Sequence, residues 1–450
     1  MCKLSVISKP LQGFITFALK KAGISQSVGA AAFWSLVESF SAPFFSLMLM
    51  PILTHNLGLA NYGVYVMAMA FIALSGFTGF GMNTAITYHL AKNSAYPSFD
   101  YKKNIAQQLT TALAITLIGT VGFATLFLSA TYLSQGYLKI NHPQWLTYDG
   151  LKIQVVLLLI FTQCDMVISA ALKGLQHFKT SALCELLIRL LGFALLTVAA
   201  FYYKQVEIII GVAVLVSALS LIIRLVVMLK TADLKINDMR YNINEAKIFF
   251  NFGKWMTLQN ISGAIFGSID KLVLGAFYGT ALVGIYNILI TFAQLIHFAL
   301  TSALSFILPK VSKANLPINI VKTSYFKSLL ISGCSTLVLA LALYSFYFYI
   351  QGHFKLPNFH SEYVLLLVSF SILAMNIPPY YFALGFGKVK TLSTINIFSG
   401  ILGTISCLVL IPIYGILGAC MARMLYACAV CVTFVIMRAI FKNKSHELIK

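Results

Sequence analysis

Long apolar stretches recur along this chain, and they limit its possible folds more than any other feature. A helix needs about 20 apolar residues to cross a bilayer, and charged residues make up only 10% of the chain. A water-soluble domain has about 25%. The sequence therefore predicts an all-α polytopic membrane protein with about 12 transmembrane helices. The predicted spans are 27–54, 62–90, 104–131, 152–172, 180–203, 207–229, 248–277, 282–308, 323–350, 362–385, 391–411 and 415–438.

The basic residues are distributed unevenly between the two sides of these spans. With the N-terminus in the cytoplasm, the cytoplasmic segments hold 23 of the 32 lysines and arginines, and the outer loops hold 4. Such an excess sets the orientation of membrane proteins, so we expect both termini to be cytoplasmic. The asymmetry also accounts for the net charge of +20. Anionic lipids of the inner leaflet are its expected partners, and nucleic acid is not.

The first 26 residues do not resemble a cleaved signal peptide. Residues 9–22 (KPLQGFITFALKKA) mix apolar residues with lysines, and no small-residue cleavage site follows. An interfacial helix on the inner surface is the expected structure of 1–26. Of the eight cysteines, Cys428 and Cys431 form a C-x-x-C, but this pair lies on an apolar helix and no second pair accompanies it. Packing is therefore their favoured role, and we expect neither a metal nor a cofactor.

Two segments of the chain carry the same pattern of glycine and tyrosine. LGLANYGVY at 57–65 aligns without gaps with YGTALVGIY at 278–286, at an offset of 221 residues. A weaker match relates 174–192 to 385–403. The simplest role for the paired glycines is a tight turn between two spans, which needs either a positive φ or a close approach of the backbones. These glycines are Gly58, Gly63, Gly279 and Gly284.

The repeat predicts two six-helix bundles. Residues 27–229 form the first bundle, and residues 248–438 form the second. A cytoplasmic linker over 230–247 joins them, and a cytoplasmic tail follows over 439–450. Because six is an even number, both halves start in the cytoplasm and the repeat is parallel. Transporters use this plan and bind their substrate between the halves.

Nine charged residues fall inside the predicted spans, where each costs about 3 kcal/mol at the bilayer centre. Arg224 and Lys254 lie near the inner surface, so we expect their long side chains to snorkel. Glu185 and Arg189 share a helix face and can neutralise each other. The other charged residues need a partner on another helix or a hydrated cavity.

The remaining deep charges are candidates for such a cavity. Glu38, Asp165 and Arg423 have no charged partner at i±3 or i±4. Asp270 and Lys271 are adjacent and point about 100° apart on a helix, so they cannot form a same-face pair. We therefore predict that Asp165, Asp270, Lys271 and Arg423 line a substrate cavity.

Two deep arginines indicate an anionic ligand. The guanidinium group binds phosphate oxygens bidentately, so Arg189 and Arg423 are the predicted headgroup contacts between the halves. Glu38 is the predicted ion-coupling carboxylate, because it lies mid-span without a local basic partner, five residues before Pro43. A static ion pair between Glu38 and an arginine of another helix is the alternative.

Helix breakers suggest where the spans can bend. Pro43 and Pro51 fall in the first span, and Pro378 and Pro379 follow Asn376 in the tenth. Proline removes a backbone hydrogen bond and kinks a helix. Pro43, Asn376, Pro378 and Pro379 are therefore predicted gate or hinge residues, with a plain kink as the alternative.

Two motifs carry a family resemblance. The turn LGLANYGVY resembles the "LGPxxYG" turn of polysaccharide-biosynthesis membrane proteins. The segment from Phe252-Gly253-Lys254-Trp255 through Asn260, followed by SIDKLVLG at 268–275, resembles their seventh span. Over about residues 25–440 the chain is similar to Wzx-type O-antigen flippases of the multidrug/oligosaccharidyl-lipid/polysaccharide exporter superfamily. It departs from them at 59–61, where Leu-Ala-Asn stands and many relatives have proline and an acid.

The resemblance implies a flippase of the bacterial cytoplasmic (inner) membrane. Such proteins move an undecaprenyl-pyrophosphate-linked oligosaccharide, an O-antigen or capsule repeat unit, to the outer leaflet by alternating access. In lipopolysaccharide biosynthesis, a polysaccharide polymerase and a chain-length regulator are further implied partners. A cationic lumen is usual in this family, and coupling to an ion gradient is often proposed for it.

Three other functions compete with this interpretation. A multidrug antiporter of the same superfamily would need a mainly acidic, aromatic pocket, whereas the deep charges here are mixed. Peptidoglycan-precursor flippases usually have fourteen spans. A membrane polymerase or glycosyltransferase would need a large catalytic outer loop, but the longest one, 131–151, holds a single acid, Asp149. The sequence contains no nucleophile–base constellation, so we do not expect an enzyme.

Overall fold

The computed structural model describes residues 26–95, 101–133, 149–304, 307 and 318–447. These parts of the chain are almost entirely helical and contain no strand, so the predicted all-α membrane fold is confirmed. The predicted interfacial segment falls outside the described residues, apart from residue 26. Most of the longest outer loop falls outside them as well.

The helices of the first half are α1 (Gln26–Leu74), α2 (Met82–Ala95), α3 (Tyr101–Leu133), α4 (Asp149–Gly174), α5 (Phe178–Tyr202) and α6 (Val206–Thr231). Those of the second half are α7 (Ile243–Tyr278), α8 (Thr280–Leu304), α9 (Ile318–Phe354), α10 (His360–Met375), α11 (Ile377–Gly385), α12 (Val389–Tyr414), α13 (Ile416–Val430) and α14 (Val432–Glu447).

Ten helices among the described residues are long and apolar enough to cross a membrane. One of them, Phe40–Phe77, covers parts of the first two predicted spans, because α1 consists of two helical segments joined across a kink at Gly58, where the backbone angles are non-helical. The predicted span 248–277 lies in α7, which is not one of the ten. The second predicted span is broken by a short 3₁₀ turn at Ser75–Phe77 before α2 begins.

Pro43 and Pro51 do not end the first helix. Both lie inside α1, and the residue with non-helical backbone angles in this helix is Gly58. The tenth predicted span is interrupted at Asn376, between α10 and α11. The twelfth is interrupted at Cys431, between α13 and α14. The helices are therefore interrupted at Gly58, Asn376 and Cys431, and they continue through Pro43 and Pro51.

The two bundles have a common architecture. In the first, α4 packs against α2, α3 and α6, and α1 packs against α5. In the second, α10 packs against α8, α9 and α13, and α12 packs against α7 and α13. Large apolar side chains such as Leu215 and Leu330, with exposed fractions of 63% and 69%, point outwards. Outward-facing apolar residues suit a protein that is surrounded by lipid.

The two halves meet mainly through α1. This helix packs extensively against α8 and also against α7. One continuous apolar core, which includes Leu53, Met67, Leu289 and Ile296, spans the contact. The junction between α1 and α8 is therefore the place to look for a substrate path.

Candidate functional site

The two copies of the repeated turn lie against each other, at the end of the fold that the charge asymmetry places outside. A Cβ on Gly63 would overlap the carbonyl oxygen of Thr280, and a Cβ on Gly284 would lie 2.5 Å from the carbonyl oxygen of Leu59. Small residues allow helix backbones to approach this closely in membranes. The close backbone approach expected of these glycines is therefore present at Gly63 and Gly284, where it joins the two halves.

Gly58 and Gly279 serve the turn itself. Their φ angles are 76° and 87°, in the left-handed region that favours glycine. A Cβ on either residue would meet nothing within 4 Å. The predicted turn role is confirmed for these two glycines.

A hydrogen bond joins the halves beside the packed glycines. The side-chain amide of Asn287 donates to the hydroxyl oxygen of Tyr62 at 2.8 Å, and Tyr62 is 3% exposed. Hydrogen bonds between membrane helices contribute about 0.6–2 kcal/mol each. We call the contact of Tyr62 and Gly63 with Thr280, Gly284 and Asn287 the outer closure.

The first half contains a buried network of charged side chains. Arg224 of α6 is 2% exposed, and its Nε lies 3.2 Å from Oδ1 of Asp165 on α4. Arg224 also pairs with Glu185 of α5, which in turn pairs with Arg189 one helical turn further on. The expected snorkelling of Arg224 is therefore wrong, because its partners on two other helices hold it inside the bundle.

A second ion pair involves the predicted coupling residue. The ammonium nitrogen of Lys173, near the end of α4, lies 2.7 Å from Oε1 of Glu38 on α1. The side chain of Lys173 is 33% exposed and that of Glu38 is 14% exposed. The side chains of Arg189 and Glu185 differ in the same way, with exposed fractions of 35% and 15%. The cation is the more accessible partner in both pairs, so the accessible face of this network is positive.

The second half contains a separate charged cluster. Arg423 donates to Oδ2 of Asp270 through Nη2 at 2.6 Å and Nε at 3.1 Å. The hydroxyl of Tyr286 donates to the same oxygen at 2.7 Å, and the backbone amide of Lys271 donates to Oδ1 at 2.8 Å. The guanidinium carbon of Arg423 also lies 4.8 Å from the ring centroid of Phe266, a cation–π contact. The fully buried carboxylate of Asp270 is thereby satisfied.

The two predicted headgroup arginines occupy different environments. The side chain of Arg423 is 9% exposed and is held by Asp270, whereas that of Arg189 is 35% exposed. Lys271 is half-buried next to this pair. Binding of an anionic headgroup by either arginine stays a prediction.

The two charged clusters lie at opposite depths. Glu185 and Arg224 are each seven residues from the helix ends that the predicted topology places inside, about 10 Å at 1.5 Å per residue. Asp270 and Arg423 are eight and seven residues from the ends placed outside, about 10–12 Å. A ligand that crosses between the halves would thus pass the first cluster early and the second late.

A cavity opens between the halves beside the first cluster. Its volume is about 560 Å³, and it is bounded by α1, α5 and α8. Arg189 follows the lining residue Leu186 by one helical turn, and Glu38 follows Val37 directly. We call this space the central cavity. Its lining residues are Val37, Phe40, Ser41, Phe44, Phe45, Leu186, Ser302 and Ala303.

The predicted hinge residues lie in two places. Pro43 is half-buried in α1 next to Phe44 of the central cavity. Pro378 and Pro379 are buried in the first turn of α11, where proline fits because the first N–H groups of a helix need no intrahelical partner. Asn376 is 4% exposed and accepts a hydrogen bond from Thr433, the second residue of α14. The breaks in the tenth and twelfth spans are therefore bonded to each other.

The linker between the halves is tied to the first bundle. Its Asp233 pairs with Lys102 of α3, with an Nζ–Oδ2 distance of 2.5 Å. The hydrogen bond and charge of Lys102 lower the pKa of Asp233. Asn242, at the start of α7, donates to Oε1 of Gln107 at 3.1 Å. The linker thus contacts α3 at both of its ends.

The deep charged side chains of the described residues are mostly engaged in ion pairs. Within the described ranges, no group of three or more His, Cys, Asp or Glu side chains is placed to hold a metal ion. The polar centres are ion pairs between helices, and the central cavity beside them is apolar. This arrangement suits an amphipathic, charged ligand.

A family model for polysaccharide biosynthesis proteins matches residues 28–315. The chain belongs to this family. No curated protein sequence matches the chain. The family match covers the repeated turn and the whole first bundle, which are the parts that carry the outer closure and the first charged cluster.

Solved structures with the same fold are membrane transporters of the MOP superfamily. An inward-facing multidrug-resistance MATE transporter is 15% identical, with a TM-score of 0.62 over 92% of this chain and 95% of that chain. A eukaryotic MATE transporter is 12% identical, with a TM-score of 0.60 over 93% and 96%. A MOP transporter from Pyrococcus furiosus, described as having a binding pocket of reverse polarity, is 14% identical, with a TM-score of 0.56 over 93% and 96%. The polysaccharide biosynthesis family member described here therefore has a MATE-like fold.

Several residues of this site are not apparent from the sequence. The predicted topology places Lys173 in a cytoplasmic loop and the side chain of Arg224 at the inner surface. Tyr286 and the pair of Tyr62 and Asn287 carry no charge or motif beyond the repeat itself. The tyrosine of the second repeat copy is the one available signal, because it aligns with Tyr65 of the first.

Proposed function

We propose that this protein is a flippase that moves an undecaprenyl-pyrophosphate-linked oligosaccharide across the bacterial cytoplasmic membrane. The observation that carries the proposal is the accessible positive face of the first cluster. Lys173 and Arg189 are about a third exposed, their acidic partners are more buried, and the central cavity lies beside them. A pyrophosphate is an anion that such cations bind.

The proposed mechanism follows from the different depths of the two charged clusters in the membrane. The headgroup enters the central cavity from the cytoplasmic side and contacts Lys173 and Arg189. Opening of the outer closure then gives the headgroup access to the second cluster. There the ion pair between Arg423 and Asp270 opens, and Arg423 binds the anionic group. Flipping requires only that the polar headgroup is shielded from hydrocarbon, so no covalent step is needed. We further propose that both termini are cytoplasmic and that a polysaccharide polymerase and a chain-length regulator receive the product.

The test of this proposal is transport by the purified protein in sealed vesicles. Vesicles that contain an undecaprenyl-pyrophosphate-linked oligosaccharide are treated with an impermeant glycosidase. We expect protein-dependent exposure of the sugar, which Lys173→Ala with Arg189→Ala reduces at least tenfold. The double variant Lys173→Arg with Arg189→Lys keeps both positive charges and should be faster than the double alanine variant but slower than the wild type, because lysine does not reproduce the bidentate contact of arginine. Equal rates for all three proteins would contradict the proposal.

Glu38 remains the proposed coupling carboxylate, now with Lys173 as its partner. A change in protonation of Glu38 would release Lys173 to the headgroup. In vesicles with an imposed proton or sodium gradient, Glu38→Gln should transport without dependence on that gradient. A Glu38→Gln variant with the wild-type gradient dependence would exclude this role.

A multidrug antiporter is the second candidate, because Phe40, Phe44 and Phe45 line the central cavity. Aromatic faces attract organic cations. Efflux of a cationic dye from the same vesicles, without sugar exposure, would favour this function over the flippase.

A further inference from the structure

A second cavity continues the central cavity along the outside of the second half. It has a volume of about 490 Å³ and lies between α8 and α9. Both cavities are lined by Ala303, so they meet at this residue. We call the combined space the side groove. The lining residues of the second cavity are Ala299, Leu300, Ala303, Leu304, Ile331, Ser332, Cys334, Ser335, Val338 and Leu339.

Small side chains make the side groove. On α8, Ala299, Ser302 and Ala303 are spaced i, i+3 and i+4, so they share one helix face. On α9, Ser332 and Ser335 are spaced i and i+3 and face them. Larger residues at these positions would fill the space between the two helices. The sequence thus maintains a gap where tight helix packing would be the ordinary outcome.

Two of the hydroxyl groups around the groove already have partners within the protein. Ser41 donates to the backbone oxygen of Glu38 at 2.7 Å. Ser332 donates to the backbone oxygen of Ala374 at 3.2 Å. Because these hydroxyls are satisfied within the protein, the walls they belong to are apolar. An occupant of the groove needs hydrocarbon and does not need hydrogen-bonding groups.

The side groove opens to the lipid at one end and reaches positively charged side chains at the other. Ile331 and Val338, on its outer side, have exposed fractions of 58% and 66%, so they face the bilayer. At the inner end the cations Lys173 and Arg189 stand beside the central cavity. The ammonium of Lys179 lies 6.0 Å from the ring centroid of Trp34 on the same seam between α1 and α5. A ligand that fills the groove is therefore a long hydrocarbon with an anionic end.

We propose that the side groove holds the polyprenyl tail of the lipid-linked substrate while its pyrophosphate contacts Lys173 and Arg189. This inference rests on the proposed flippase function and adds the site of the tail. The tail would stay between α8 and α9, in contact with lipid, while the headgroup moves between the halves. Ala303 marks the point where the two paths separate.

The experiment uses a polyprenyl diphosphate that carries a diazirine near the end of its tail. The full-length protein is reconstituted in phosphatidylethanolamine and phosphatidylglycerol vesicles, irradiated and digested. We expect cross-links within residues 299–304 and 331–339. Unlabelled polyprenyl diphosphate should compete for them, and added phosphatidylglycerol should not.

Ala303→Trp fills the junction of the two cavities and should reduce cross-linking at least tenfold. The control is Leu337→Trp, because Leu337 is 61% exposed and lines neither cavity. The control should cross-link like the wild type. Ala303→Ser keeps the groove open and should also retain cross-linking, which separates filling of the groove from misfolding.

Three outcomes would overturn the tail site. These are cross-links on helices other than α8 and α9, equal competition by phosphatidylglycerol, and wild-type translocation of the sugar-linked lipid by Ala303→Trp. Failure of the proposed function looks different. In that case the polyprenyl diphosphate cross-links to the groove as expected, but the sugar-linked lipid is not translocated by the wild-type protein.

Discussion

At the scale of single residues, we expect the exposure of each cation to distinguish a structural role from the proposed transport role. Arg224 is 2% exposed and bridges Asp165 and Glu185. Arg189 pairs with Glu185 as well, but a third of its side chain is accessible. Removing one partner of a buried ion pair costs about 3–5 kcal/mol, because the other charge is left uncompensated.

We therefore expect Arg224→Ala to lower the free energy of unfolding by about 3–5 kcal/mol and to reduce the amount of protein in the membrane. Arg189→Ala should leave that amount nearly unchanged and reduce transport. Quantitative immunoblots and thermal unfolding in detergent measure the first effect, and vesicle transport measures the second. Equal stability of the two variants would show that burial does not distinguish them.

The pair of Asp270 and Arg423 gives a second prediction. Asp270→Leu alone leaves the guanidinium of Arg423 buried without a counter-charge and should strongly reduce protein levels. Asp270→Leu with Arg423→Met replaces both charges by apolar groups, a change that is often neutral for stability.

We expect the double variant to recover the wild-type thermal stability but not sugar-lipid transport, because the cation of the outer half is absent. A double variant that transports normally would assign the pair a purely structural role. A double variant that remains unstable would mean that Tyr286 and the backbone amide of Lys271 require the carboxylate.

Local spacing determines how much the sequence reveals about these residues. The pair of Glu185 and Arg189 is visible as an i, i+4 spacing on one helix. The partners of Arg224 and Arg423 lie 39 and 153 residues away, so no pattern within one helix indicates them. The sequence shows that Asp270 lacks a partner on its own helix face, but its actual partner depends on the packing of α7 against α12 and α13.

At the scale of helices, the outer closure depends on two glycines with no room for a side chain. We expect Gly63→Val and Gly284→Val to separate the outer ends of the halves. Gly122→Val is the control, because a Cβ there meets nothing within 4 Å. In a background without native cysteines, cross-linking between Tyr62→Cys and Asn287→Cys reports the closure.

Cross-linking should fall several-fold in the two closure variants and stay unchanged in the control. The reason is steric, since each new side chain meets backbone of the opposite half. Unchanged cross-linking in Gly63→Val would mean that the halves do not close through this contact.

Helix positions are largely predictable because an apolar run of membrane length rarely forms anything except a transmembrane helix. The break at Ser75–Phe77 is not predictable in this way, because residues 74–81 are all either apolar or small and uncharged, with glycines at 76, 79 and 81. Hydropathy does not distinguish such a segment from a continuous span. Pro43 and Pro51 have the opposite effect. They suggest breaks in the helix, but both lie inside α1 without ending it.

At the scale of the whole molecule, the charge asymmetry predicts a topology that can be tested directly. We expect a cysteine introduced by Asn237→Cys, in the linker, to resist an impermeant maleimide added to intact cells. Asn358→Cys, in the loop between α9 and α10, should react. Both positions are exposed. The reverse pattern of labelling would invert the orientation and, with it, the proposed direction of entry.

The contact between Gly63 and Gly284 is self-complementary. A Cβ added to either glycine would lie close to the backbone nitrogen of the other, at 3.2 Å for Gly63 and 3.4 Å for Gly284. A symmetric dimer has the same property at its two-fold axis, where residue i meets residue j and j meets i. A six-helix protein with one copy of the turn would thus already possess the surface with which to pair with itself. If two such copies were fused through the linker, the fusion had only to preserve that surface.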